Sequence, residues 1–300
     1  MRLLHLDSGR EMRGGQWQVL YLLEGLAARG HSVVLLAPAG SPLHRQAAAR
    51  ALEVRPWNVW SALRFSRRCD LVHAHDARSH TLAALFARRP LVVSRRVAFL
   101  LKTGPGSRWK YARAARFIAV SQHVGEILEN ARVAPGRIAV VYDGVEFPEE
   151  VAPPSNRSGV VALATDDPAK GADLIREAAR SSGIDVMFSR TLPADLASAA
   201  VFVYVTRSEG LGSAALLAMA SGAAVIASRT GGLPEVVEHR VTGLLTDNNP
   251  REIAQAMRRL LDDPDLAASL VAQGRARVRD RFSLARMIDE TLAVYERILR

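Results

Sequence analysis

Short apolar runs rich in Val, Ile and Leu alternate with longer amphipathic stretches along almost the whole of this 300-residue chain. In the first half the runs are LLHL, SVVLLA, DLVHAH, PLVVS, RFIAV and IAVVYD, separated by helix-like segments such as Gln16 to Ala28, Pro42 to Ala51, Ser79 to Ala87 and His123 to Asn130. A strand buried on one face only would alternate apolar and polar residues. Continuous apolar runs joined by helices instead demand a parallel sheet covered on both faces. Gly30, just after the first amphipathic stretch, is a helix stop signal before the next strand.

The rhythm breaks at residues 151–158, VAPPSNRS, whose prolines and serines have the composition of a linker. It then resumes as GVVALAT, a helix from Lys170 to Ser181, IDVMF, a short helix near Pro193 to Ala199, VFVYV, Ser213 to Ala220, AVIAS and GLLT. From Pro250 the chain reads as helix to its end. The expected organisation is a doubly wound first domain over 1–150, a linker over 151–158 and a second doubly wound domain over 159–280. A C-terminal helix over 281–300 is expected to pack back on the first domain. Two such Rossmann-like α/β domains facing a central cleft would present the loops at the carboxyl ends of both sheets to one ligand.

Charge is shared unevenly between the halves. The formal net charge is +10, and all of the excess lies in residues 1–150; between Arg45 and Arg116 sixteen basic residues face only Glu53, Asp70 and Asp76. Such a surface attracts nucleic acid, anionic lipid headgroups or a polyanionic substrate. A single cysteine, Cys69, excludes an internal disulfide and a cysteine-based metal site, and suits a reducing compartment. The opening MRLLHLDSG has no apolar stretch of signal-peptide length, and the longest weakly polar run, Ala214 to Ala227, is too short to span a bilayer. No paired His or Cys spacing suggests a metal.

Chemistry is densest between Ser208 and Val237, SEGLGSAALLAMASGAAVIASRTGGLPEVV. Glu209, Gly210, Leu211 and Gly212 stand between a buried strand and a helix that starts near Ser213. Free backbone N–H groups at such a turn, with the positive end of the helix dipole, make a phosphate site, and the glutamate can take sugar hydroxyls.

This segment resembles the family 4 retaining glycosyltransferases of the GT-B fold, whose hallmark is an E-G-x-G loop, a helix ending A-M-A-x-G, a strand and a G-G-x-P-E turn. Here those pieces are Glu209, Gly210 and Gly212; Ala218 to Gly222; and Gly231, Gly232, Pro234 and Glu235. The resemblance extends to Gly14-Gly15, His73 and His75, FIAVSQHV, VVYDGVE, Lys170-Gly171 and the terminal Phe282, Ser283 and Tyr295, so it covers nearly the whole chain.

The resemblance implies transfer of a hexose from a nucleoside diphosphate sugar, with retention of configuration and no metal cofactor. Lys170 would stabilise the departing diphosphate, Glu209 would hold the hexose hydroxyls, and His75 would meet the hexose near its reacting carbon. Gly14 and Gly15 would let backbone approach the sugar or diphosphate, and Gly210, Leu211, Gly212 and Ser213 would line the donor. A saccharide or lipid-linked acceptor, of lipopolysaccharide type, is expected at the inner membrane face. There the basic run that includes Arg95, Arg96, Lys102, Arg108 and Lys110 would suit anionic headgroups, with Phe99, Leu100, Leu101 and Trp109 as interfacial anchors. On this reading the protein is cytoplasmic and peripheral to the membrane, and no nucleic-acid recognition motif competes.

Three departures from the family pattern stand out. The family's second glutamate, eight residues after the first, is Leu217. Its basic residue after the first strand of the second domain is replaced by Ala164 and Thr165, followed by Asp166 and Asp167. One strand and one helix fewer lie between Lys170 and Glu209. Arg207 and Arg190 are the candidate replacement cations. Two other readings follow: a catalytically degenerate GT-B protein acting as a partner or regulator in a glycan pathway, or a nucleotide-sugar 2-epimerase, for which few acid and base carboxylates exist in the first domain.

Overall fold

The structure, a computed structural model, describes residues 1–101, 104–148 and 150–300. The chain divides into two compact units, Met1–Gly144 with Leu284–Arg300, and Val145–Ser283.

Among the described residues the first unit holds strands β1 (Arg2–Leu6), β2 (Ser32–Ala37), β3 (Glu53–Pro56), β4 (Leu71–Ala74), β5 (Leu91–Arg95), β6 (Arg116–Ala119) and β7 (Ile138–Val140), all parallel, in the order β3-β2-β1-β4-β5-β6-β7. The connecting helices are α1 (Gly14–Ala28), α2 (Pro42–Ala49), α3 (Val59–Ser66), α4 (Ala77–Phe86), α5 (Pro105–Arg113) and α6 (Gln122–Asn130). Strand order reverses between β1 and β4, so the crevice of this sheet opens beyond their carboxyl ends. β3 escapes the periodicity argument because it is an edge strand, EVRP, with three of its four residues exposed.

In the second unit β8 (Ser158–Leu163), β9 (Val186–Ser189), β10 (Ala199–Tyr204), β11 (Ala224–Ser228) and β12 (Leu244–Thr246) form a parallel sheet ordered β12-β11-β10-β8-β9. Its helices are α7 (Ala172–Ser182), α8 (Leu192–Leu196), α9 (Ser213–Ala220), α10 (Leu233–Val236), α11 (Pro250–Asp262) and α12 (Pro264–Arg281). Here the reversal lies between β8 and β10, which brings the loop ending at Lys170 beside the loop that holds Glu209. Ile175, Val201, Val203, Ile226, Ile253 and Met257 are among the side chains of its core.

The last helix, α13 (Leu284–Leu299), belongs to the first unit, where Met287, Ile288, Val294 and Tyr295 join the core formed by α1 and the sheet. Gly25 of α1 permits the close crossing, since a Cβ there would stand 2.1 Å from Ile288 Cδ1.

The boundaries differ from those read in the sequence. The first unit ends at Gly144, not at 150, because Gln18 of α1 grips that residue: its Nε2 donates to the Gly144 carbonyl at 2.8 Å and its Oε1 accepts from the Gly144 N–H at 3.1 Å. The chain returns at Leu284, whose Cα a Cβ on Gly144 would approach to 2.7 Å. Nor is 151–158 a loose connector. Residues Pro154–Asn156 form a 3-10 turn, and buried Arg157 donates to the carbonyls of Ala152, Leu196, Ala199 and Ser221. An arginine beside prolines and serines reads as solvated. Only the fold reveals the four carbonyls that it satisfies.

Candidate functional site

In the second unit, three side chains meet at the reversal of strand order. Lys170, at the end of a 3-10 turn after β8, donates from Nζ to Glu209 Oε2 at 2.7 Å and to the Tyr204 hydroxyl at 3.1 Å. Tyr204, the last residue of β10, donates to the same Glu209 oxygen, while Glu209 Oε1 accepts from the Gly210 N–H at 3.1 Å. Burial, together with the neighbouring Glu209 carboxylate, pushes the Tyr204 hydroxyl well above its usual range and keeps it a donor. The ammonium of Lys170 thus spends two of its three hydrogens on internal partners and has one left for a ligand.

Backbone geometry holds these groups in place. Gly171, at φ +57°, lies so close to β10 that a Cβ would stand 2.8 Å from Val205 Cγ1. Gly231 and Gly232 press against the glutamate loop: Cβ atoms there would lie 2.1 Å from the Glu209 carbonyl oxygen and 2.2 Å from that of Gly210. Behind them Ser228, Asn248 and Thr206 tie the loops after β10, β11 and β12 together, with Thr206 N–H donating to Ser228 Oγ at 2.8 Å and Asn248 Nδ2 to the Thr206 carbonyl at 3.0 Å.

Gly212 caps α9 in the left-handed region at φ +113°, so the helix starts at Ser213 without a side-chain cap. Its first amide groups have no intrahelical partner. Leu211 is buried.

Thr165 and Arg207 line an open pocket of about 650 Å³ beside Asp166 and Asp167. Arg207 is already spoken for: it makes a two-pronged ion pair with Asp173 at 2.7 and 3.2 Å and donates to the Pro168 carbonyl. Arg190 is exposed in the turn after β9, and Leu217 is half-buried on α9.

The first unit gathers a second set of groups, at the ends of β1, β4 and β5. His75 lies just beyond β4, with Nε2 3.0 Å from His5 Nδ1 and Nδ1 3.3 Å from the Arg96 guanidinium. A guanidinium can only donate, so Nδ1 of His75 accepts and its Nε2–H points to His5. Both ring nitrogens are therefore engaged within the unit, rather than free for a hexose. Arg96 is fixed in turn by Asp143, at 3.1 Å, and borders the start of α1, its Cδ 3.8 Å from where a Gly15 Cβ would lie. Gly14 and Gly15 form the first turn of α1.

His73 sits between Ser94 Oγ, at 2.7 Å, and the Tyr295 hydroxyl. Burial lowers His5 to about 3 and holds His73 and His75 well below the usual imidazole range, so all three are neutral. Their nitrogens come within 4.8 Å of one another, as a metal would need. Among these nitrogens, however, only His5 Nε2 lacks a hydrogen-bond partner, which makes the cluster a hydrogen-bonded set.

Sequence reasoning missed His5, Asp7, Tyr204 and Asp143. Asp7 is buried directly after β1, accepting from the Gly9 N–H at 2.8 Å and from the Gln16 amide; burial, then the nearby Asp76, raises its pKa. Each missed group stands within or just past the carboxyl end of an apolar run, and that position was the available signal.

The remaining basic residues separate into two kinds. Arg95 is half-buried, bonded to the Phe99 carbonyl and to Tyr111, and so, like Arg96, is engaged internally instead of facing outward. On α5, Arg108 lines an open pocket, and Lys110 lies over the Tyr111 ring at 5.7 Å. Phe99, Leu100 and Trp109 are 65%, 85% and 46% exposed beside them. Lys102 lies outside the described residues. No helix among the described residues is long and apolar enough to cross a membrane.

Two family models match the chain, Glycosyltransferase Family 4 over residues 12–147 and Glycosyl transferases group 1 over 131–263. Alpha-maltose-1-phosphate synthase of Mycolicibacterium smegmatis is 41% identical over 110 residues, 34% of this chain and 28% of that protein. The GDP-mannose-dependent alpha-(1-6)-phosphatidylinositol monomannoside mannosyltransferase of Mycobacterium tuberculosis is 42% identical over 92 residues, 28% of this chain and 24% of its own. The aligned stretch thus spans about a quarter of these relatives. Among solved structures, Anabaena Alr3699/HepE in complex with UDP superposes with a TM-score of 0.87 at 18% identity, covering 99% of this chain and 100% of that one, a likeness of fold.

Proposed function

The chain belongs to the group 1, family 4 glycosyltransferases of GT-B fold, and from that premise we propose that it moves a hexose, with retention of configuration, from a nucleoside diphosphate sugar to a lipid-linked or lipopolysaccharide-type saccharide. The observation that carries the reading is the Lys170–Tyr204–Glu209 cluster beside the uncapped start of α9. The donor diphosphate lies against that helix start and the third N–H of Lys170, while Glu209 takes hexose hydroxyls. As the bond from the anomeric carbon to the phosphate oxygen breaks, its electron pair goes to the diphosphate, whose charge Lys170 offsets. The acceptor oxygen bonds to that carbon, and its proton passes to the departing phosphate. No carboxylate of the chain acts as nucleophile and no metal is required.

In the first unit, Asp143 and His75 orient Arg96 beside the glycine turn at Gly14 and Gly15, a candidate sugar-binding surface of that unit. Thr165 and Arg207 border the nucleotide. Arg108 and Lys110, with Phe99, Leu100 and Trp109, form a surface for anionic lipid headgroups, each basic residue contributing about 1 kcal/mol. Support for a lipid acceptor comes from the phosphatidylinositol monomannoside named for the mycobacterial relative.

Calorimetry of the purified protein with uridine, guanosine and adenosine diphosphate sugars tests this reading. One donor should bind, and Lys170→Ala should weaken it at least tenfold. Binding by none of them, in folded protein, would transfer the argument to a degenerate partner role, which Leu217 and the acidic pair Asp166 and Asp167 favour.

A further inference from the structure

Beyond the ends of β1 to β4, the first unit contains an open pocket of about 590 Å³ lined by Ser8, Arg10, Gly40, Ser41, Trp57 and Arg78, together with small and proline residues of the same loops. It runs into a second hollow of about 570 Å³ that shares Ser8, Arg10 and Arg78 and adds Arg13.

Two features suit the first pocket to an anion. No acidic residue lines it, and the guanidinium groups of Arg10 and Arg78 have neither ion pair nor hydrogen bond among the described residues. Asp76, which lines the neighbouring hollow, is saturated from within: it accepts from the N–H and hydroxyl of Ser8, the N–H of Arg78, and the N–H and hydroxyl of Ser79, at 2.7 to 3.0 Å. Glu11, in the neighbouring hollow, is taken by Arg13 at 2.7 Å. Trp57 lines the same pocket, half-buried and locked by the bond from its Nε1 to Ser79 Oγ at 3.0 Å.

We propose that this pocket is an acceptor subsite for an anionic saccharide, with the oxyanion group held by Arg10 and Arg78 and the sugar ring lying on the Trp57 indole. The inference rests on the glycosyltransferase reading and adds the chemical class of the acceptor. Guanidinium forks match the geometry of phosphate and carboxylate oxygens, and the apolar face of a sugar packs on an aromatic plane. A neutral acceptor would leave two cations without counter-charge.

The test is calorimetry of the full chain with glucose, glucose 6-phosphate, glucuronate and inorganic phosphate, each also in Arg10→Gln, Arg78→Gln, the double variant and Trp57→Ala, with UDP, GDP and ADP titrated separately into every protein. Glucose 6-phosphate or glucuronate should bind at least tenfold more tightly than glucose, and whichever binds better names the oxyanion. Each arginine variant should weaken it about tenfold, and Trp57→Ala should weaken it while leaving inorganic phosphate alone. Equal affinity for glucose and its charged derivatives, or wild-type binding by the double variant, overturns the proposal. So does inorganic phosphate binding as tightly as the sugar phosphate. Binding of one nucleoside diphosphate unchanged across these variants keeps the donor reading in place when the subsite fails, whereas failure of UDP, GDP and ADP alike to bind strikes at that reading instead.

Discussion

The hydroxyl of Tyr295 lies 2.5 Å from Nδ1 of His73, so that the last helix of the chain closes a hydrogen bond inside the sheet of the first unit, 222 residues away in sequence. His73 in turn reaches Ser94, and two residues on, His75 meets Arg96. Tyr295→Phe keeps the ring and removes this bond, leaving a buried imidazole nitrogen without its partner. The expected cost is about 1–3 kcal/mol of stability, read as a lower denaturant midpoint with an unchanged slope. An unaltered midpoint would show that the bond contributes nothing.

Three buried neutral histidines make stability depend on pH. Their folded pKa values lie below the unfolded value, so the unfolded chain binds more protons between the two, and stability falls as pH drops below about 6.5. For three such groups the loss approaches about 4 kcal/mol per pH unit between pH 6 and 5. Thermal unfolding followed from pH 7.5 to 5 should show this decline, and His5→Asn should flatten it. A melting temperature constant over that range would contradict the buried neutral cluster.

The glycine pair after β11 is held by contact with another backbone. Gly231→Ala and Gly232→Ala each force a Cβ to about 2 Å from a carbonyl oxygen of the glutamate loop, which must shift. Loss of donor affinity of at least tenfold is expected for both, along with reduced stability. Gly136→Ala is the control, because nothing lies within 4 Å of the added atom. Equal behaviour of all three would mean that the loop tolerates displacement.

Tyr204→Phe removes a hydrogen bond to the Glu209 carboxylate and one from the Lys170 ammonium. Bonds to charged groups contribute about 1.5–3 kcal/mol, so transfer should slow roughly ten- to a hundredfold. Lys170→Ala removes the cation that offsets leaving-group charge, and the expected loss is larger, about a hundred- to a thousandfold. Steady-state rates with the donor identified by calorimetry decide the order. A Tyr204→Phe enzyme as fast as the wild type would reduce that hydroxyl to packing.

Much of the fold is legible without coordinates, and the reasons are local. A run such as SVVLLA, six residues long, β-branched and bounded by turn residues, reads as a strand buried on both faces, and the pauses at glycine and proline mark where helices stop. The missed elements lack such signals: EVRP is an exposed edge strand, and α5, PGSRWKYAR, buries no residue. The site was half legible. Glu209, Lys170 and the glycines stand in a recognisable order, but Tyr204 and Asp143 are single polar residues at the ends of apolar runs, indistinguishable in sequence from any strand terminus.

Sequence alone determined the two doubly wound sheets and the glycine turn before α9, because burial pattern and backbone conformation are set by neighbours along the chain. Tertiary structure decided which charges are available. Arg95, Arg96, Arg157 and Arg207 look alike in the sequence, yet they are committed to a carbonyl and Tyr111, to Asp143, to four carbonyls and to Asp173, while Arg10 and Arg78 are left to face an open pocket. The partner of a charge is fixed by the packing of distant segments, and no residue type or spacing encodes that packing directly.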